Sequence, residues 1–202
     1  MNMKNLFNKF KKSDAEIQYE FGLQNLETEN YDEAFRLFSA SAEQGYGPAI
    51  LELGYCYSEG MGVEQDFDKA FELFSILADK GDADAQYELA LCYENGTGTD
   101  IDHKKATEYY ELAAESGIVE AQVNLAGNYI SGTGVEQDYS KAFMWFSKAA
   151  EQGDVHAWYN LGCLYLNGYG VEADLGKAKT YLEAAKENGH PMADDVLQEY
   201  FR

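Results

Sequence analysis

The chain has 202 residues, 46% of them hydrophobic, which is enough to build a packed core and excludes a disordered polymer. Its 36 acidic residues against 15 basic ones give a formal charge of -21, which repels nucleic acid and anionic membrane surfaces and favours a basic partner. No stretch approaches the roughly 20 apolar residues of a membrane span, so stable membrane insertion is not expected.

Residues 1–13 form a basic opening segment in which Lys4, Lys9, Lys11 and Lys12 are mixed with Met1, Met3, Leu6, Phe7 and Phe10. Its apolar run is too short and interrupted for a secretory signal. Two readings stand: a leader or extra capping helix, and an amphipathic helix that touches a membrane or a partner. Residues 14–48 follow as a first helical pair, with Phe21-Gly22 in the first helix and Ala34, Phe38, Ala42 and Gly45 marking the second. The gap from Phe21 to Ala34 is 13 residues, against 17 between the corresponding Leu53 and Ala70. This shorter unit resembles a tetratricopeptide unit.

From Ala49 to Met192 the chain repeats every 36 residues, with units starting at Ala49, Ala85, Ala121 and Ala157. Helix A of each unit carries leucine at its fifth position (Leu53, Leu89, Leu125, Leu161), a small residue at its sixth (Gly54, Ala90, Ala126, Gly162) and tyrosine at its ninth (Tyr57, Tyr93, Tyr129, Tyr165). Positions 1, 5 and 9 share one helix face, and the small residue lets a neighbouring helix approach. A G-x-G turn ends helix A, from Gly60 and Gly62 to Gly168 and Gly170. Asp66, Asp102, Asp138 and Asp174 then stand where a side chain caps helix B. Helix B carries Lys-Ala and a bulky pair such as Leu73-Phe74 or Trp145-Phe146, and closes on Gly81, Gly117, Gly153 or Gly189. Residues 193–202 supply a short helix, with Val196, Leu197, Tyr200 and Phe201 available to cap the last unit.

The repeating pattern A-x-x-x-L-[GA]-x-x-Y-x-x-G-x-G-[VT]-x-x-D-x-x-K-A resembles the Sel-1-like repeat. The resemblance implies an all-α, right-handed α/α superhelical solenoid used as an adaptor, scaffold or regulatory surface, with no catalytic activity. Thr99 departs from the pattern at the loop valine, and Lys186 stands where the other units have alanine.

Other motifs are absorbed by the repeat. Each G-x-G follows a helix rather than a strand, so a phosphate cradle is not expected. Asp100-x-Asp102 lacks the glycine and distal glutamate of a calcium loop. His103, His156 and His190 fall at different repeat positions without a companion nucleophile. Cys56, Cys92 and Cys163 form no C-x-x-C or Cys/His cluster, and as reduced thiols they fit a cytoplasmic home. The sequence therefore predicts no catalytic residue, cofactor or metal.

By geometric analogy with tetratricopeptide units, helix A lines the inner wall at positions 3, 7, 10 and 11 and at the residue before each alanine. Those positions hold Tyr19, Tyr55, Glu59, Tyr87, Leu91, Glu94, Glu120, Ile130 and Tyr159 as candidate partner contacts. Tyrosines suit half-wet surfaces, and acids around them steer basic segments. Leu51, Leu91 and Val123 fit partner contact and packing between adjacent A helices equally. The expected function is a scaffold or adaptor binding a basic peptide or protein. An inhibitor or immunity protein neutralising a basic toxin or nuclease is the alternative, and a weak hydrolase a more remote one.

Overall fold

The computed structural model describes residues 12–201, so the basic opening segment lies outside it apart from Lys12 and Ser13. Among the described residues the chain forms helices and no strand. They are α1 (Asp14–Glu27), α2 (Tyr31–Ala42), α3 (Gly47–Glu59), α4 (Phe67–Ala78), α5 (Ala83–Asn95), α6 (His103–Glu115), α7 (Val119–Ser131), α8 (Tyr139–Glu151), α9 (Val155–Asn167), α10 (Leu175–Glu187) and α11 (Ala193–Tyr200). No helix among these residues is long and apolar enough to cross a membrane.

The chain divides into two compact units, Met1–Asp100 and Ile101–Arg202. In the first, α1 packs on α2, α2 on α3, α3 on α4 and α4 on α5. In the second the same order runs from α6 to α11. Within each unit, each helix therefore rests on its neighbours in sequence, as a repeat fold requires.

The sixth position of helix A must be small because helix B lies almost on its backbone. A Cβ added at Gly54 would stand 2.5 Å from Phe74 Cε1, one at Gly22 2.5 Å from Phe38 Cε1, and one at Gly162 2.7 Å from Leu182 Cγ. Phe38, Phe74 and Leu182 are fully buried, so these contacts form the core.

The caps fall where the sequence places them. Asp66, Asp102, Asp138 and Asp174 accept from the backbone N–H groups of Lys69, Lys105, Lys141 and Lys177 at 3.0–3.1 Å. Each such cap is worth about 1 kcal/mol. The second glycine of the turn has a further reason to lack a side chain. At φ +69°, a Cβ on Gly62 would meet the Tyr31 carbonyl, and one on Gly170 would meet that of Tyr139, so the turn seats against the start of the preceding helix B.

One repeating contact has no consensus letter in the sequence. At the second position of helix A, Gln86, Gln122 and Trp158 donate to the carbonyls of Ala78, Ala114 and Ala150 in the preceding helix B, at 3.5, 3.1 and 3.2 Å. At the last such junction Lys186 Nζ meets Asp194 Oδ1 at 2.6 Å, which accounts for the lysine that departs from the repeat. In addition, the ninth-position tyrosines stand edge-on to the phenylalanine of the preceding helix B: Phe35 with Tyr57, Phe71 with Tyr93, and Phe143 with Tyr165, at 5.3–5.5 Å. Lys69, Lys141 and Lys177 also stand over the rings of Tyr57, Tyr129 and Tyr165, at 4.9–5.1 Å.

One junction is polar. Thr107 occupies the place of that phenylalanine, and Asn128 that of Cys56 and Cys92. Asn128 Nδ2 donates to Thr107 Oγ1 at 3.0 Å, and the hydroxyl lies 2.9 Å from the His103 carbonyl that it reaches as a donor. Both side chains are buried.

Candidate functional site

In the first unit, the inner positions of helix A are partly spent on packing. Tyr19, Leu23 and Leu26 of α1 lie against the cluster of Ala34, Phe38 and Cys56. The Tyr19 ring is 5.3 Å from that of Tyr46. Leu51 and Tyr55 of α3 lie likewise against Ala70, Phe74 and Cys92. Tyr55 also donates its hydroxyl to Glu88 Oε1 of α5 at 2.9 Å, so its polar end bridges two successive A helices. Burial and the Glu88 carboxylate hold that phenol well above its ordinary range.

Glu88 is half-buried, and so is Glu52 one repeat earlier. Burial pushes both carboxyls up, opposed at Glu88 by the Tyr55 hydroxyl and reinforced by Asp84 and Glu59. Neither forms an ion pair among the described residues. A carboxylate that loses water without gaining a cation costs stability.

Beside them, the end of α3, the first two turns of α4, the second half of α5 and Thr97 after it line a cleft of about 150 Å³. Glu59 and Glu88 line it together with the apolar Phe67, Phe74, Leu91 and Cys92. Three predicted contacts, Tyr55, Glu59 and Leu91, thus gather around one site. Tyr87 and Glu94, also on α5, are half-buried.

In the second unit the predicted residues do not gather. Glu120 is exposed in the first turn of α7, whereas Ile130 is half-buried in its last turn, with its carbonyl accepting from Gln137 Nε2 at 2.6 Å. Between them Gly127 faces open space. Tyr159 of α9 stacks on His190 at 4.1 Å between ring centres, and His156 approaches the same imidazole at 5.2 Å. Burial and His156 lower the pKa of His190, and its Nδ1 accepts from the Met192 N–H at 3.3 Å.

The sequence reading missed Glu52 and Glu88. Both occupy the fourth position of helix A, outside the positions carried over by analogy, and the later units have Asn124 and Asn160 there. The available signal was an acid at the same register in two successive repeats.

Chemically the site suits recognition of cations. Cys56 and Cys92 are free but buried, with thiols pushed up to about 11, and so are poor nucleophiles at neutral pH. Among the described residues no group of three or more His, Cys, Asp or Glu side chains is placed to hold a metal ion.

The Sel1 repeat matches five segments of the chain, at residues 19–46, 47–82, 83–118, 119–154 and 155–190. No curated protein matches it in sequence. Among solved structures, the chain is similar to a protective antigen of uropathogenic Escherichia coli strains that displays an SLR fold. The identity is 32% and the TM-score 0.89, over 98% of this chain and 44% of that one, so the chain spans less than half of that protein. A Sel1 repeat protein of Oxalobacter formigenes is 30% identical with a TM-score of 0.85, over 90% of this chain and 74% of that one. An immunity protein of Pseudomonas aeruginosa shares the fold at 23% identity and a TM-score of 0.58, over 95% of this chain and 71% of that one.

Proposed function

The chain belongs to the Sel1 repeat family, and from that membership we propose that it is a cytoplasmic protein-interaction module that holds a basic protein or peptide on the acidic, tyrosine-bearing faces of its A helices. It binds and does not turn over a substrate. The observation that carries this reading is the pair of half-buried carboxylates, Glu52 and Glu88, that lack a cation among the described residues and flank Tyr55. The formal charge of -21 acts in the same direction at longer range, by accelerating encounter with a cationic partner.

In this reading Tyr19, Tyr55, Tyr87 and Leu91 give apolar contact in the first unit, with Glu59 and Glu94 as steering charges. Glu120, Ile130 and Tyr159 do the same in the second. The test is affinity capture from the source cell at low and high salt, with the wild-type chain and with the Tyr87→Ala/Glu94→Lys variant, whose fold is checked by circular dichroism. The expected partner is basic, is released by salt and is lost on the variant. A partner retained through both changes contradicts the acidic faces as the binding surface.

A narrower reading is an inhibitor that covers a basic toxin or nuclease. The fold it shares with an immunity protein, together with its charge, supports this version. It requires that the captured partner have an activity that the bound chain suppresses.

A further inference from the structure

The cleft of the first unit has a more specific chemistry than the acidic faces around it. Its lining includes the buried Phe74 and Cys92, Leu91 and Phe67, the last 41% exposed, with Ser58, Ala70 and Thr97 completing it. A volume of about 150 Å³ is on the scale of one long side chain and not of a helix or a folded loop. Two carboxylates, Glu59 and Glu88, belong to the lining, and no lysine or arginine does.

A cleft whose lining is largely apolar but carries two carboxylates and no cation complements an aliphatic stem carrying a positive head. An anion is repelled there. A neutral apolar group leaves the carboxylates without a cation, and a compact cation leaves the apolar lining uncovered.

Resting on the reading above, we propose that this cleft receives one arginine or lysine side chain of the protein partner, its stem lying on Phe74, Leu91 and Phe67 and its cationic head between the Glu59 and Glu88 carboxylates. The arriving cation gives the desolvated Glu88 the charge partner it lacks, while the Tyr55 hydroxyl keeps that carboxylate oriented at 2.9 Å.

The test uses the full chain with two probes, a capped decapeptide of alternating glycine and arginine and its neutral glycine–citrulline counterpart. Binding is followed by methyl and aromatic NMR at low ionic strength. The expected result is that only the arginine peptide moves the Leu91 methyls and the Phe67 and Phe74 rings. Glu88→Gln should weaken its binding about tenfold, whereas Glu172→Gln, the same charge change at an exposed loop position, should leave it within about twofold.

Because Glu88→Gln alters a partly buried site, its fold is checked by circular dichroism and by unchanged shifts of first-unit residues away from the cleft, such as Phe38. Leu91→Trp, which fills the cleft without removing a charge, should also abolish the Phe74 shifts. Arginine-peptide binding that is insensitive to Glu88→Gln and Leu91→Trp, with shifts elsewhere on the A helices, overturns the cleft while leaving the acidic faces standing. Equal binding of the citrulline peptide also overturns it. Binding of neither peptide overturns both the cleft and the broader reading.

Discussion

Adding one methyl group to two different glycines should change stability in opposite directions. Gly54 and Gly127 both lie inside A helices, so replacing either by alanine gains the same intrinsic helix preference, about 0.8–1 kcal/mol. Their surroundings differ. The new Cβ at position 54 would lie 2.5 Å from Phe74 Cε1 and 3.0 Å from its Cδ1 and Cζ, whereas at position 127 it meets nothing within 4 Å. Phe74 is 2% exposed and cannot swing aside, so the α3/α4 pair must open.

Overpacking of this kind costs about 1–3 kcal/mol. Since the helix term cancels, the stability difference between the two variants measures that cost directly. Gly127→Ala should gain about 1 kcal/mol, and Gly54→Ala should fall below it by about 1–3 kcal/mol. At about 2–4 °C per kcal/mol for a chain of this size, the melting temperatures should separate visibly. Alanine already stands at the equivalent place in Ala126, so the hairpin can open, and the cost is that of widening it. Urea titrations followed by circular dichroism give the comparison, with amide exchange locating the loss in α3 and α4. Two variants of equal stability would refute the argument that helix contact dictates the small residue.

Three further outcomes are expected. Thr107→Phe alone should lose about 1–3 kcal/mol because the buried Asn128 amide forfeits its acceptor, and Thr107→Phe/Asn128→Cys, which copies the Phe71 and Cys92 pair, should recover most of it in a double-mutant cycle. Because burial and His156 lower the His190 pKa, the unfolded chain takes up this proton at a higher pH than the folded one. Stability should therefore fall as pH drops below about 6.5, and His190→Asn should flatten that slope in urea titrations at a series of pH values. Burial raises the Glu52 pKa, so its contribution is fully present below the ordinary carboxylate range and is lost as pH rises through the folded value. Glu52→Gln should thus be at least as stable as wild type at pH 7 by thermal melting, yet bind the basic partner less tightly by calorimetry.

The hairpins, their caps and the small sixth residue are legible in the sequence because one geometry is written four times. A constraint that always demands the same chemistry, such as the Asp66 cap or the close approach at Gly54, leaves the same letter in register. Features met by different chemistry in each copy leave none. Gln86, Gln122 and Trp158 all donate to a carbonyl of the preceding helix, but an amide and an indole share no pattern. The candidate site was half legible for a related reason. Tyr55, Glu59 and Leu91 stand at positions carried over by analogy with tetratricopeptide units, while Glu52 and Glu88 depend on how far one A helix buries the next, which the spacing of residues does not state. The stacking of Tyr159 on His190 was hidden likewise, since His190 lies in the turn after helix B, outside the face that the helical register describes.

The most direct test of the account is amide hydrogen exchange of the full chain, free and with its captured partner bound. The account predicts new protection along α3 and α5 in the first unit and α7 and α9 in the second, strongest around Glu88 and Leu91. Protection confined to α4, α8 and α10, with the A helices exchanging as in the free chain, would contradict it.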